Sequence, residues 1–119
     1  IYLAAPTTTD ERLQTIGKAT SGYLYYVSLK GITGSSKLDT SDVSQRVAYM
    51  RQHVSVPICV GFGIRTAKDA AVISSAADGS IVGTVLVSQV EALVDQPEKI
   101  PNALKAILEP MRQAMDANG

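Results

Sequence analysis

Four short apolar runs alternate along this chain with stretches of helical periodicity, and that alternation narrows the available folds more than any other feature. The runs are Ile1 to Ala5, Gly22 to Ser28, Pro57 to Gly61 and Ser80 to Val82. After the first, Thr8-Thr9-Asp10-Glu11 reads as a capping box, with Leu13 and Ile16 on the inner face of the helix that follows. After the second comes a longer polar stretch, Leu29 to Thr40, and then Val43, Val47, Met50 and Val54 at helical spacing. A third helix begins near Thr66, with Asp69 in its first turn, and buries Ala70, Ile73 and Ala77. Thr84 to Val90 is long enough for a short helix. The last helix then places Ile100, Leu104, Ile107, Leu108, Met111 and Met115 on one face, with a kink expected at Pro110. The pattern is a (βα)4 unit, one segment over residues 1–119.

Such a unit fits either an open doubly wound sheet or half of an eight-stranded (βα)8 barrel. The glycines favour the barrel. Gly61-Phe62-Gly63-Ile64 ends the third apolar run, and Gly83-Thr84 ends the fourth. Each is followed by a helix start, where free N–H groups and the helix dipole favour an anion. In barrels of this kind a phosphate often sits between the loops after the last two strands and the start of a short extra helix. The expectation is therefore a phosphate-ester site at the C-terminal rim of parallel strands, in the C-terminal half of a barrel. Arg65 stands close enough to approach an anion at that rim but reads first as a helix-surface charge.

Composition removes several function classes. Eleven Lys plus Arg balance eleven Asp plus Glu with no basic cluster, so nucleic acid and anionic membranes are poor partners. No apolar run approaches the roughly 18 residues of a membrane span, and no signal peptide pattern is visible. The apolar share of 45% argues for a packed globule over a disordered segment. The single cysteine, Cys59, lies inside an apolar run and reads as a small core residue of a reduced, cytoplasmic protein. Tyr23, Tyr25 and Tyr26 cluster on one run, where Tyr26 is the core residue. His53 reads as a solvated residue at a helix end. No metal site is expected. The chain opens on Ile1-Tyr2-Leu3-Ala4-Ala5-Pro6, without methionine or a polar lead-in, as a segment of something longer does.

Three motifs in order carry a family resemblance. Gly22-Tyr23-Leu24-Tyr25-Tyr26-Val27-Ser28-Leu29-Lys30-Gly31-Ile32-Thr33-Gly34, Val60-Gly61-Phe62-Gly63-Ile64 and Gly79-Ser80-Ile81-Val82-Gly83-Thr84-Val85-Leu86-Val87 together resemble the C-terminal half of the tryptophan synthase alpha subunit. Pro97-Glu98-Lys99 and Glu109-Pro110-Met111 fit the same pattern, so the resemblance spans essentially the whole chain. It implies a (βα)8 TIM barrel, of which this chain supplies strands five to eight. It also implies a lyase of tryptophan biosynthesis that cleaves indole-3-glycerol phosphate to indole and glyceraldehyde 3-phosphate by a retro-aldol step. By matching positions, Gly34, Gly63, Gly83 and Thr84 hold the phosphate, Thr84 standing where the family usually has serine. Tyr25, Phe62 and Ile81 line the indole pocket, and Thr33 is the lid threonine. Leu29 stands where the family's lid usually has a basic residue, with Lys30 next to it. No cofactor is implied in this chain, since pyridoxal phosphate belongs to the partner beta subunit that receives the indole.

The family's catalytic glutamate and aspartate belong to the N-terminal half of the barrel. The acids present here are Asp10, Glu11, Asp39, Asp42, Asp69, Asp78, Glu91, Asp95, Glu98, Glu109 and Asp116. All lie at helix starts, on helix surfaces or in loops, so no general acid or base is expected in this chain. A half barrel also leaves one sheet face and two edges open. They call for the N-terminal half of the same barrel, or a second copy of this chain. Two other readings stay open: a sugar-phosphate isomerase or epimerase barrel with the same cradle, and a non-catalytic assembly module.

Overall fold

The computed structural model describes residues 1–28, 40–61 and 63–118. Its elements follow the alternation in the sequence: β1 (Tyr2–Ala4), α1 (Asp10–Ala19), β2 (Leu24–Val27), α2 (Thr40–Met50), β3 (Ile58–Gly61), α3 (Ala67–Ser74), β4 (Gly79–Ile81), α4 (Thr84–Ala92) and α5 (Ile100–Asp116), with a 3-10 turn at Pro97–Lys99 before α5. Local chemistry explains where the first helices begin. Thr9 caps α1, its hydroxyl accepting from the Arg12 N–H at 3.3 Å. The expected box one residue earlier does not form, because Thr8 Oγ1 instead accepts from the Ala5 N–H at 2.8 Å and closes the turn after β1. The reciprocal box is found at α3. There the Thr66 hydroxyl accepts from the Asp69 N–H at 3.1 Å, and Asp69 Oδ2 accepts from the Thr66 N–H at 3.0 Å.

All four strands are parallel, in the order β1-β2-β3-β4, with Leu24 opposite Tyr2 and Ile58, and Cys59 opposite Gly79. Each crossover therefore steps to the next strand in the same direction. With right-handed connections that sends the helices to one face. A doubly wound sheet reverses its strand order and carries helices on both faces, and this sheet does neither. Burial alternates accordingly. Leu24, Tyr26, Ile58 and Val60 are fully or almost fully buried under the helices, together with Leu13, Val43, Val47, Met50, Ala70 and Ile73. Tyr25, Val27, Cys59 and Ile81 point the other way and are only half-buried, and Leu3 is 61% exposed. Cys59 thus departs from the core position expected of it. Its thiol lies on the open face against Gly79, and burial, with the Asp78 charge behind it, pushes its pKa up, away from the reactive thiolate.

The outermost helix departs from the simple periodic reading. Of its six apolar-face residues only Met111 is buried; Ile107 and Met115 pack partly against the core, and Leu108 stays 41% exposed. The helix continues through Pro110. Beyond its end, Asn118 Nδ2 donates to the Ala71 carbonyl and to Ser74 Oγ at 3.0 Å, fastening the C-terminal end to α3. The Cα radius of gyration is 15.5 Å, against roughly 13.5 Å for a compact domain of this length. A sheet covered on one face accounts for the excess.

At the foot of the sheet, Asp78 joins three elements. Its backbone N–H donates to the Ile58 carbonyl at 2.9 Å, its Oδ2 accepts from the Ile58 N–H at 2.9 Å, and Arg51 Nη2 lies 3.1 Å from the same oxygen. Ile58 is fully buried, so removing the carboxylate leaves its N–H without a partner, at a cost of about 1–3 kcal/mol. The ion pair with Arg51 is exposed and contributes at most about 1 kcal/mol. Urea denaturation of Asp78→Ala is therefore expected to show a loss of about 2 kcal/mol, with Arg51→Ala within about 0.5 kcal/mol of the unsubstituted chain. Equal losses in the two variants would show that the ion pair, and not the backbone bond, carries the stabilisation.

Candidate functional site

The C-terminal ends of β2, β3 and β4 converge on a cavity of about 160 Å³ lined by Tyr25, Gly63, Ile64, Arg65, Ile81, Gly83 and Thr84. Three strand ends and one helix start build it. Tyr25 leaves the open face of β2 and lays its ring across Gly61 of the neighbouring strand. A Cβ at Gly61 would come 2.7 Å from Tyr25 Cζ, so glycine at this position is what lets the ring reach the cavity. Gly63, with φ at +31°, turns the chain out of β3 in the left-handed region that side chains avoid. Ile64 then returns to the core at 3% exposure and anchors the loop. From β4, Ile81 supplies an apolar wall.

Gly83 is the N-cap of α4 and has no side-chain cap. Its carbonyl accepts from Leu86 at 2.9 Å and Val87 at 3.0 Å, while the first N–H groups of the helix have no intrahelical partner. Nothing lies within 4 Å of where a Cβ at Gly83 would sit. The chain's own packing therefore does not call for glycine there. What its absence of a side chain leaves is clear space in front of a helix N-terminus, with the exposed Thr84 beside it.

Of the residues expected at the site, the structure brings together Tyr25, Ile81, Gly63, Gly83 and Thr84. Thr33, Gly34 and Phe62, along with Leu29, Lys30 and Asp39, lie outside the described residues. Sequence reasoning undervalued Arg65. It is not a helix-surface residue, since α3 starts at Ala67 with Thr66 as its cap, and it lines the cavity. Its backbone is held by Asp69, whose Oδ2 accepts the N–H groups of both Arg65, at 3.1 Å, and Thr66. Burial works against the charge on Asp69, but these hydrogen bonds outweigh it and hold the carboxyl below the ordinary carboxylate range. The stabilisation this lends is present above the unfolded pKa and is lost as pH falls through the lower folded one. His53 also differs from its expected solvated position: it is half-buried and tilts against the Tyr49 ring at 5.0 Å.

Among the described residues, none that lines the cavity is an acid. Among the described residues no group of three or more His, Cys, Asp or Glu could hold a metal ion, and no helix is long and apolar enough to cross a membrane. At about 160 Å³ the cavity is also smaller than the roughly 300–1,000 Å³ of a complete small-molecule site. Chemically it offers a helix N-terminus, an arginine, a tyrosine ring and an aliphatic wall.

Known proteins share this fold. The family model described as tryptophan synthase alpha chain matches residues 1–116. The tryptophan synthase alpha chain of Nitrosococcus oceani is 50% identical over 117 residues, and that of Marinobacter nauticus 46% identical, each alignment covering 98% of this chain and 43% of the relative. Among solved structures, the alpha subunit from Legionella pneumophila superposes with a TM-score of 0.81 at 35% identity, over 98% of this chain and 42% of that one. The tryptophan synthase a2b2 complex of Pyrococcus furiosus gives 0.74 at 28% identity, over 93% and 44%. The chain thus spans less than half the length of the relatives it matches, and its four-stranded parallel sheet is half of their eight-stranded barrel. With matched residues running from the first strand to the end of the last helix, the chain belongs to the tryptophan synthase alpha chain family.

Proposed function

We propose that this chain is the C-terminal, phosphate- and indole-binding half of an enzyme that cleaves indole-3-glycerol phosphate to indole and glyceraldehyde 3-phosphate. The observation that carries the reading is the convergence of Tyr25, Gly63, Ile81, Gly83 and Thr84 on one cavity at the C-terminal ends of three parallel strands. The phosphate takes the space in front of α4, held by backbone N–H groups at Gly63 and Gly83 and by the Thr84 hydroxyl, with Gly34 added from the loop after β2. Tyr25 and Ile81, with Phe62, take the indole ring, and Thr33 belongs to the lid that closes over it.

Retro-aldol cleavage protonates the ring carbon that leaves, draws off the ring N–H proton as charge develops, and removes the proton of the side-chain hydroxyl. This half contributes position, not proton transfer. Fixing the phosphate and the ring leaves the bond to be broken over the open face of the sheet, where a second half barrel brings its carboxylates. That second half is the partner the open surface calls for. The exposed Leu3 of β1 and the groove beside β4, lined by Gly79, Val82 and Leu108, mark the two edges where four further βα units add. The Pyrococcus furiosus relative is described within an a2b2 complex, and a beta subunit is the proposed recipient of the indole. Pyridoxal phosphate resides there, this half needs no cofactor, and the enzyme works in the cytoplasm.

Calorimetric titration of the chain with indole-3-glycerol phosphate and with glycerol 3-phosphate separates this reading from a sugar-phosphate isomerase or epimerase. Burying the ring against Tyr25 and Ile81 contributes on the order of 1.5 kcal/mol, so the indole ester is expected to bind about tenfold more tightly. Equal affinities would favour the sugar-phosphate enzyme, and no binding of either ester would leave a non-catalytic assembly module.

A further inference from the structure

We propose that Arg65 is a phosphate-binding residue of this site, its guanidinium forming the charged wall of a cradle otherwise built from backbone N–H groups and one hydroxyl; this rests on the phosphate-ester reading above. Arg65 lines the same cavity as Gly63, Gly83 and Thr84. Its position is fixed from both sides. Ile64 before it is buried at 3% exposure, and the Arg65 N–H is bound to Asp69 Oδ2 at 3.1 Å. The nearest acid in sequence, Asp69, is occupied by the N–H groups of Arg65 and Thr66, and among the described residues the guanidinium makes no ion pair.

A structural arginine finds a carboxylate or a carbonyl. Arg46 does, donating to the Thr8 carbonyl at 3.0 Å, and so does Arg112, which pairs with Asp116. Arg65 instead lines a cavity where no acid stands among the described residues, beside the positive end of α4. A planar fork of donors there matches two phosphate oxygens at once, a geometry that backbone N–H groups alone do not supply. The cradle as the family resemblance assigns it is neutral. With Arg65 it carries a full positive charge and selects esters by the charge of their phosphate as well as by shape.

The test is a calorimetric titration of the unsubstituted chain, Arg65→Gln, Arg65→Lys and Lys68→Gln with glycerol 3-phosphate at low salt. Lys68 is exposed on α3 and does not line the cavity, so its variant controls for loss of one positive charge. Arg65→Gln keeps the N–H that binds Asp69 and so preserves the loop. Expected are binding weakened about tenfold in Arg65→Gln, only partial recovery in Arg65→Lys, whose point charge does not reproduce the planar fork, and no more than about a twofold change in Lys68→Gln. Unchanged binding in Arg65→Gln, an equal loss in Lys68→Gln, or full recovery with lysine would each overturn the proposal while leaving the phosphate site standing. If the unsubstituted chain does not bind the ester, the site itself falls and the proposal with it.

Discussion

Gly17→Ala is expected to destabilise this chain by about 2 kcal/mol, although the same change in an exposed helix interior stabilises by up to about 1 kcal/mol. Gly17 lies in α1 where that helix meets the turn after α2. A Cβ there would land on the backbone carbonyl oxygen of His53 and 3.1 Å from Val54 Cγ1. The obstructing atom is main chain, so no rotamer change relieves the contact, and α1 or the turn itself has to move. Overpacking of this kind costs about 1–3 kcal/mol, at the upper end where backbone must shift, which outweighs the propensity gain. Thermal denaturation is expected to fall by roughly 8 °C, at about 4 °C per kcal/mol for a chain of this size. A rise in melting temperature would mean that α1 and α2 are not held in this close approach.

The close approach of those helices could not be read from the sequence, where Gly17 looks like a weak point in an otherwise good helix. Most elements could be. Alternation in Leu24-Tyr25-Tyr26-Val27 separates the buried face from the open one, and Thr66 with Asp69 announces α3 together with its capping box. The reading failed where two local partners competed or where the answer is tertiary. Thr8 and Thr9 are chemically equivalent caps, and only the turn after β1 decides that Thr8 bonds backward to Ala5. Singly and doubly wound sheets have the same alternation and differ in where each crossover goes. Leu108 keeps the helical period of its neighbours yet stays exposed.

The candidate site was legible through its glycines, since strand ends that turn into helices must use them. Gly63 and Gly83 line one cavity with Tyr25, Ile81 and Thr84. Arg65 was undervalued for a simple reason. A charged residue two positions before a helix looks solvated in one dimension, and only the fold shows that the adjacent helix start, that of α4, lies across the same cavity. The one available signal was its place between the turn glycine and the capping threonine, a position that is held rigid at both ends.

The largest effect expected of this chain is on catalysis. Among the described residues no acid or histidine lines the cavity, so the chain alone is expected to release no indole from indole-3-glycerol phosphate above background. General acid and general base catalysis each contribute about 10²- to 10⁴-fold, and on the proposed reading both come from the other half of the barrel. On the proposed reading, a separately produced N-terminal half of a relative, such as the Legionella pneumophila alpha subunit, brings the carboxylates to the open face of the sheet and covers its edges. Indole release measured for the chain, for that half and for their mixture therefore tests the account most directly. Release in the mixture alone, at least about a thousandfold above either part, is the predicted result; release by this chain on its own at the rate of the mixture would show that the chemistry resides here and contradict it.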